Sequence, residues 1–307
     1  MRKANSYKVI IVGGGPAGLA TALHLAQVAP ALAAETLILE AAAHPRPKVC
    51  GGGITFHAEE QLRQLGLSMD VPTFAITRLV FRLGAGAFTT ACPDAMRIIL
   101  RDEFDAALAS AVVARGLELH SNERLLYLRV LSDGVEVVTN TASYQTSVVI
   151  GADGANSMVR RQLGLRSTLG VARLLRTLTP IDPARTPAWQ TQTALFDFSC
   201  VKQGIQGYIW DFPCWVAGQA TMNRGIFDSR VVPIDARSPG VGPVRSQLKQ
   251  VFTDGLHERN VQVNGVKLEG HPVRWFNPQA EFARPRVLLA GDAAGVAQYL
   301  IQHEKGL

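Results

Sequence analysis

"KVIIVGGGPAGLATALHLAQ", residues 8–27, decides the fold. Its first part belongs to "SYKVIIV", residues 6–12, a continuous apolar run that ends in glycines, as expected of a strand buried on both faces. From Pro16 to about Gln27 the chain reads as a helix, with Leu19, Leu23 and Ala26 on one face. Pro16 suits a first helical turn, where its missing N–H would have no partner anyway. Pro30 marks the end of that helix, and "TLILE", residues 36–40, is a second strand. Strand, glycine turn, helix and strand make a βαβ unit, which crosses over right-handed and implies a parallel sheet.

Between the strand and the helix, Gly13, Gly15 and Gly18 form G-x-G-x-x-G. Gly13 permits the tight turn, Gly15 lets backbone approach a pyrophosphate, and Gly18 allows close helix–strand packing. Pro16 and Ala17 open the helix, where exposed N–H groups favour a ligand's negative charge. Glu40 ends the second strand, 22 residues after Gly18, where a carboxylate can accept hydrogen bonds from a ribose hydroxyl. The turn therefore reads as a dinucleotide site. The carboxylate argues against a 2′-phosphate, leaving NAD or FAD as the ligand held here.

The remaining composition narrows the classes. At 307 residues the chain can bury one large core or two joined domains. Its longest aliphatic run, Val9-Ile10-Ile11-Val12, is too short to span a bilayer. The basic N-terminus lacks an apolar signal region, so a cytoplasmic protein is expected. Net charge is +6, carried by 24 arginines and 7 lysines, a balance that favours phosphate ligands or anionic lipid surfaces. The arginines are scattered singly, without interleaved aromatics, which excludes a nucleic-acid-binding reading. Cys50, Cys92, Cys200 and Cys214 show no C-x-x-C spacing and the seven histidines no H-E-x-x-H pattern, so no metal site is expected.

Further along, residues 99–115 read as an amphipathic helix, and "GVEVVT" and "SVVIGAD" as strands. From about Gly170 to Pro278 the character changes to short alternating strands, with one helix carrying Val244, Leu248, Val251 and Phe252 at helical spacing. Two segments then repeat the strand-to-turn pattern. "VVIGADGANSMVRRQLGL", residues 148–165, passes through Asp153 and Gly154, and "VLLAGDAAG", residues 287–295, through Gly291 and Asp292.

With G-x-G-x-x-G first, then "DG", then "GD", the chain resembles the FAD-dependent aromatic hydroxylase and geranylgeranyl reductase superfamily of flavoproteins over essentially its whole length. The resemblance implies an α/β fold: a Rossmann-like FAD-binding domain of the GR2 type, three layers deep, with an inserted, mostly antiparallel β-sheet substrate domain. Residues 1–75, 98–166 and 283–307 would form the former, and 76–97 and 167–282 the latter. It further implies that Asp292 bonds the ribityl chain of FAD, that Asp153 sits near the pyrophosphate, and that Arg101, in "ILRDEFDAAL", contacts the cofactor. A guanidinium suits that task, because its planar fork can pair with phosphate oxygens.

A second glycine cluster, "KVCGGGI" at residues 48–54, resembles the K-x-C-G-G segment of geranylgeranyl reductases, a loop that covers the flavin ring in that group. Lys48, Gly51 and Gly52 would face the cofactor, since consecutive glycines let main chain lie flat on an aromatic ring. Cys50 would line the pocket or act as a catalytic thiol or acid. "GYIWDFP", residues 207–213, is similar to the aromatic-x-Trp-x-Phe-Pro strand that the group places over the substrate side of the flavin. Tyr208, Trp210 and Phe212 alternate, so they share one sheet face, and they would line a cavity for a small apolar substrate.

Past Gly295 the chain departs from the group. It reads "GDAAGVAQYLIQHEKGL", without the D-P-x-x-G-E-G-I string and the helix that follows it. A truncated member is expected, with weak FAD retention and lowered stability. Three functions follow from the resemblance. In the first, NAD(P)H reduces FAD, which reduces C=C bonds of an isoprenoid-like substrate. The second is an oxygen-using monooxygenase, hydroxylase or halogenase, and the third an inactive remnant. An apolar substrate and the basic balance are compatible with peripheral membrane association. Oligomeric state is not legible.

Overall fold

A computed structural model describes residues 5–165, 171–230, 244–262, 265–275, 277 and 279–295. Its first strand, Ser6–Val12, lies between Thr36–Leu39 on one side and Ser143–Gly151 on the other, parallel to both. Glu118–His120 and Val287–Leu289 extend the parallel sheet outward on those two sides. Every second residue of the first strand points the same way. Val9 and Ile11 meet the helices Pro16–Val28 and Arg101–Ala114, through Leu19, Leu23, Phe104 and Leu108. Ile10 and Val12 meet the hairpin Leu125–Val130/Val135–Thr139, through Leu128, Val135 and Val137. Two buried faces explain why the strand is apolar without alternation, and they make the domain three layers deep.

The second sheet is mixed but mostly antiparallel. Its eight strands are ordered Glu269–Arg274, Val171–Pro180, Gln219–Asp228, Gly207–Val216, Thr193–Asp197, Thr73–Leu83, Gly86–Ile99 and Gly53–Thr55. Thr193–Asp197 and Thr73–Leu83 form its parallel pair. Helix Val244–Glu258 covers one face, burying Leu248, Val251 and Phe252 against Ile209 and Ile226. The Val244 side chain, and the tail at residues 296–307, lie outside the described residues.

The boundary expected at 76–97 shifts in the structure. The two-stranded unit runs from Thr73 to Ile99, and Gly53–Thr55 joins it from the segment assigned to the cofactor domain. The pairs Thr73↔Ile99 and Gly53↔Ile98 place these segments in the second sheet, and helix Arg101–Ala114 of the first begins two residues after Ile99.

Cross-strand pairing aligns one row on the second sheet's other face: Glu269, Arg176, Gly225, Trp210, Phe196, Phe81 and Phe88. The row is charged at one end and aromatic at the other. Gly225 is where Trp210 lies down, since a Cβ there would sit 2.0 Å from the indole Cζ2.

Close packing also governs the βαβ unit. A Cβ on Gly18 would fall 1.9 Å from the Gly13 carbonyl oxygen. Gly18→Ala should therefore lower the unfolding free energy by about 2 kcal/mol, read as a lower urea midpoint with unchanged slope.

Candidate cofactor site

Backbone hydrogen bonds carry the parallel ladder one residue past the strand ends. Gly13 N–H donates to Leu39 O (2.8 Å), Ala152 N–H to Val12 O (2.8 Å), Ala290 N–H to Gly151 O (2.9 Å) and Glu40 N–H to His120 O (2.9 Å). The turns that follow are thereby brought to one level, at the carboxyl edge where open α/β sheets bind ligands. They enclose a cleft of about 560 Å³, within the range of cofactor sites. Of the residues expected at a cofactor, Gly13, Gly15, Pro16, Ala17, Glu40, Lys48, Arg101, Asp153, Gly291 and Asp292 all line it. Gly18, Cys50, Gly51 and Gly52 do not.

The turns are locked to one another by contacts that exclude side chains. Gly13 has φ +113°, and a Cβ on it would sit 2.3 Å from Ala152 O. Gly291 has φ +58° and presses on the helix start, where its Cβ would lie 2.5 Å from that of Ala17. Gly15 is different: only Arg46 Nη2, at 3.5 Å, comes near its Cβ position. Its backbone is open toward the cleft, as a pyrophosphate would need.

Glu40 is buried, and its oxygens accept from Gly14 N–H (2.8 Å), Ala42 N–H (3.0 Å) and Arg46 Nη2 (3.2 Å). One Asp153 oxygen accepts from Met158 N–H (2.6 Å) and Val159 N–H (3.1 Å), and so holds the start of the short helix Met158–Gln162. Its other oxygen, Oδ1, is buried without a partner. This carboxylate lines the cleft but works first on the protein's own helix. Arg101 is likewise engaged by the protein, its fork closed on Asp105 (2.7 and 3.0 Å), which Arg46 also approaches at 3.4 Å. This intrahelical bidentate pair uses Nε and Nη2 and fixes the guanidinium at the cleft wall.

The second glycine cluster has a function in the protein's own packing. A Cβ on Gly51 would lie 3.2 Å from Phe212 Cε2 and 3.5 Å from Trp210 Nε1, and one on Gly52 would lie 2.1 Å from Ile99 O. The rings under this flat main chain are Phe212 and Trp210. Asn223 pins the loop from below, donating from Nδ2 to Cys50 O (3.0 Å) and Gly51 O (3.1 Å) and accepting from Trp210 Nε1 (3.2 Å). Tyr208, Trp210 and Phe212 do share one face, but in a packed aromatic cluster with Phe196 and Phe227 that neither described cavity reaches. Cys50 is half-buried; its Sγ accepts from Gly52 N–H at 3.4 Å, and Arg101 and Tyr208 are its ionisable neighbours.

Lys48 Nζ lies 2.6 Å from His271 Nε2, joining the cofactor loop to the edge strand of the second sheet. Burial, and then the neighbouring Arg101, lower the Lys48 pKa, against which Asp292 acts. Burial, with the Lys48 and Arg101 cations, pushes His271 down to about 4. His271 is therefore neutral at neutral pH. Arg124, Arg161 and Arg46 also line the cleft, and nothing in the motifs singles them out; the Arg-rich "MVRRQ" after the second turn was the available signal for Arg161.

The site's polar groups fit FAD: open backbone at Gly15 and the cations Arg46, Arg124, Arg161 and Lys48 suit the phosphates, while the unpartnered Asp153 Oδ1 and Asp292 are acceptors for hydroxyl groups. Because His271 binds a proton in the folded state only near pH 4, the unfolded chain takes one up first as pH falls below 6.5. The stability contributed by neutral His271 is complete above that value and is lost as pH falls toward 4. Urea midpoints should decline across this window, and His271→Asn should flatten that part of the profile.

The FAD binding domain family matches residues 6–298. Among curated proteins, the chain is similar to menaquinone reductase of Mycobacterium tuberculosis, 28% identical over 244 residues, covering 72% of this chain and 55% of the relative. It is also similar to digeranylgeranylglycerophospholipid reductase 2 of Methanosphaera stadtmanae, 25% identical over 316 residues, covering 95% and 72%. Among solved structures, a geranylgeranyl bacteriochlorophyll reductase-like protein from Thermoplasma acidophilum shares the fold, with TM-score 0.70, 21% identity, and coverage of 94% and 72%. A flavin-dependent halogenase and a flavin-dependent monooxygenase share it too. The cleft, the order of its three turns and the family match lead to one conclusion: the chain belongs to the FAD binding domain family, and is an FAD-dependent oxidoreductase by fold and lineage.

Proposed function

We propose that this protein takes reducing equivalents from NAD(P)H and, with FAD, reduces C=C bonds of an apolar, isoprenoid-like substrate in the cytoplasm. The observation that carries this reading is the contact between Gly51 and the rings of Phe212 and Trp210. It ties the packed aromatic face of the second sheet to the loop that adjoins the cofactor cleft at Lys48, so an apolar substrate held near this junction would have aromatic side chains close to the cofactor. FAD, when bound, supplies the hydride chemistry, and the protein supplies position and charge.

The chain's own residues have distinct tasks. Gly13, Gly15 and the helix start would hold the pyrophosphate, and Glu40, already bonded to Gly14 N–H and Ala42 N–H, would accept from the ribose. Lys48, protonated and hydrogen-bonded to neutral His271, keeps positive charge at the end of the cleft nearest the Cys50–Gly52 loop. Asp292 sits opposite that charge. Asn223 holds the loop on the sheet, so the wall and the cleft keep a constant separation. The printed names of two relatives, one acting on menaquinone and one on a digeranylgeranyl lipid, support an isoprenoid substrate. Free cysteines throughout the described residues suit a reducing compartment.

The second reading, an oxygen-using monooxygenase, is favoured by the fold shared with such enzymes. One experiment separates the two. Under anaerobic conditions, FAD-loaded protein given NAD(P)H and an isoprenoid quinone or polyprenyl lipid should oxidise the nicotinamide and yield a product gaining one hydrogen molecule per bond. Oxygen uptake dependent on an aromatic substrate, with no anaerobic turnover, would overturn the reductase reading.

A further inference from the structure

The strand pair Thr73–Leu83/Gly86–Ile99 ends in a tip that the cofactor site does not use. From Leu83 to Pro93 the chain reads "LGAGAFTTACP", eleven residues without a charge. Most of this stretch is exposed. Leu83 and Phe88 are 67% and 65% exposed, and Val201, on the neighbouring 3₁₀ turn Phe198–Gln203, is 49% exposed. Exposed apolar side chains occurring singly are ordinary, but a clustered uncharged tip marks an interaction surface.

Basic residues rim the tip. Lys202 Nζ lies 3.3 Å from the Cβ position of Gly84, at the turn itself. The Arg82 side chain is about half-exposed and reaches Asp197 only at 3.5 Å. Asp197 is itself buried and already paired with Arg259 at 2.7 Å. Lys202 and Arg82 therefore present positive charge beside the apolar tip, Arg82 from the sheet face opposite Leu83 and Phe88.

We propose that this tip docks the protein on an anionic lipid bilayer, with Leu83 and Phe88 in the acyl boundary and Lys202 and Arg82 among the headgroups. Two features select a bilayer over a second copy of the chain. Leu83 and Phe88 project from the sheet face that also carries Phe81, so pairing along the free backbone edge at Gly86–Ala91 would leave them exposed; immersion in lipid covers them. Ring contacts also run inward from the tip: Phe88 to Phe81 at 6.4 Å, Phe81 to Phe196 at 5.3 Å, and Phe196 to Phe212 at 5.1 Å. Phe212 touches Gly51, beside the cofactor cleft. The rings thus connect the tip, by packing, to the loop beside the cofactor cleft. The docking itself stands on the tip's exposure and charge, independently of which reaction the site performs.

The test is co-sedimentation of the FAD-loaded protein with vesicles of phosphatidylcholine, with and without phosphatidylglycerol. Binding is expected to the anionic vesicles and to fall as salt rises. Leu83→Ser/Phe88→Ser should weaken partitioning about tenfold or more, and Lys202→Glu should weaken it several-fold. All these residues are exposed, so flavin content and urea midpoint should stay at the wild-type value. Wild-type protein remaining in the supernatant with both vesicle types would overturn the proposal. So would equal binding by the double variant, or a dimer that the double variant dissolves in the absence of any vesicle binding. Loss of reductase activity on a soluble substrate, with vesicle binding intact, would count against the proposed reaction only.

Discussion

The structure depends on the approach of Gly13 to Ala152. Only a residue without a side chain, in a left-handed conformation, lets the first turn come this close to the second. That contact is made possible by the parallel ladder running one residue beyond the strands, from Leu39 to Gly13, from Val12 to Ala152 and from Gly151 to Ala290. Three turns separated by well over a hundred residues each are thus levelled at one sheet edge. Gly291 completes the arrangement from the third turn by resting on Ala17, at the head of the first helix. A cleft suited to a dinucleotide is the geometric consequence.

The inserted sheet then decides what the cofactor's far end encounters. It grips the Lys48–Gly52 loop by unlike means: Arg176 Nη1 to Lys48 O at 3.5 Å, Asn223 to two carbonyls, and His271 to the Lys48 ammonium. These contacts cross the junction of the two sheets and hold sheet and loop in register, while Arg176 Nε stays buried without a partner. Polarity is sorted along the same face. Arg176 and Glu269 form a 2.6 Å ion pair at one end of the central row, while Trp210, Phe196, Phe81 and Phe88 occupy the other. A ligand lying on this face would meet charge on one side and aromatic rings on the other.

The βαβ unit was legible because its signals are local. An apolar run, glycines at fixed offsets, Pro16 at the helix start and Glu40 at the second strand end all fall within a few turns of chain. The later turns at Asp153 and Asp292 became legible through resemblance, and their residues do line the cleft. What could not be read is what those side chains do within the protein. Asp153 caps a helix and Arg101 is closed on Asp105, because each finds a closer partner once the chain is folded. Gly51 has Phe212, far away in sequence, against its Cβ position, a neighbour that no local pattern reveals. His271 lies 223 residues from Lys48 and belongs to no motif, so its part in the site emerges only from the pairing of the edge strand. The exposed tip at Leu83–Phe88 has no local signature, since exposure is not visible in a pattern of uncharged small residues.

The central claim is that three turns converge on a single flavin adenine dinucleotide. Equilibrium titration of the purified chain with FAD, FMN and NAD, followed by quenching of flavin fluorescence and by calorimetry, tests it most directly. Saturation by one FAD per chain, with FMN and NAD each bound far more weakly, is the predicted result. Binding of NAD in preference to FAD, or of FMN as tightly as FAD, would show that the three turns do not act together on one cofactor.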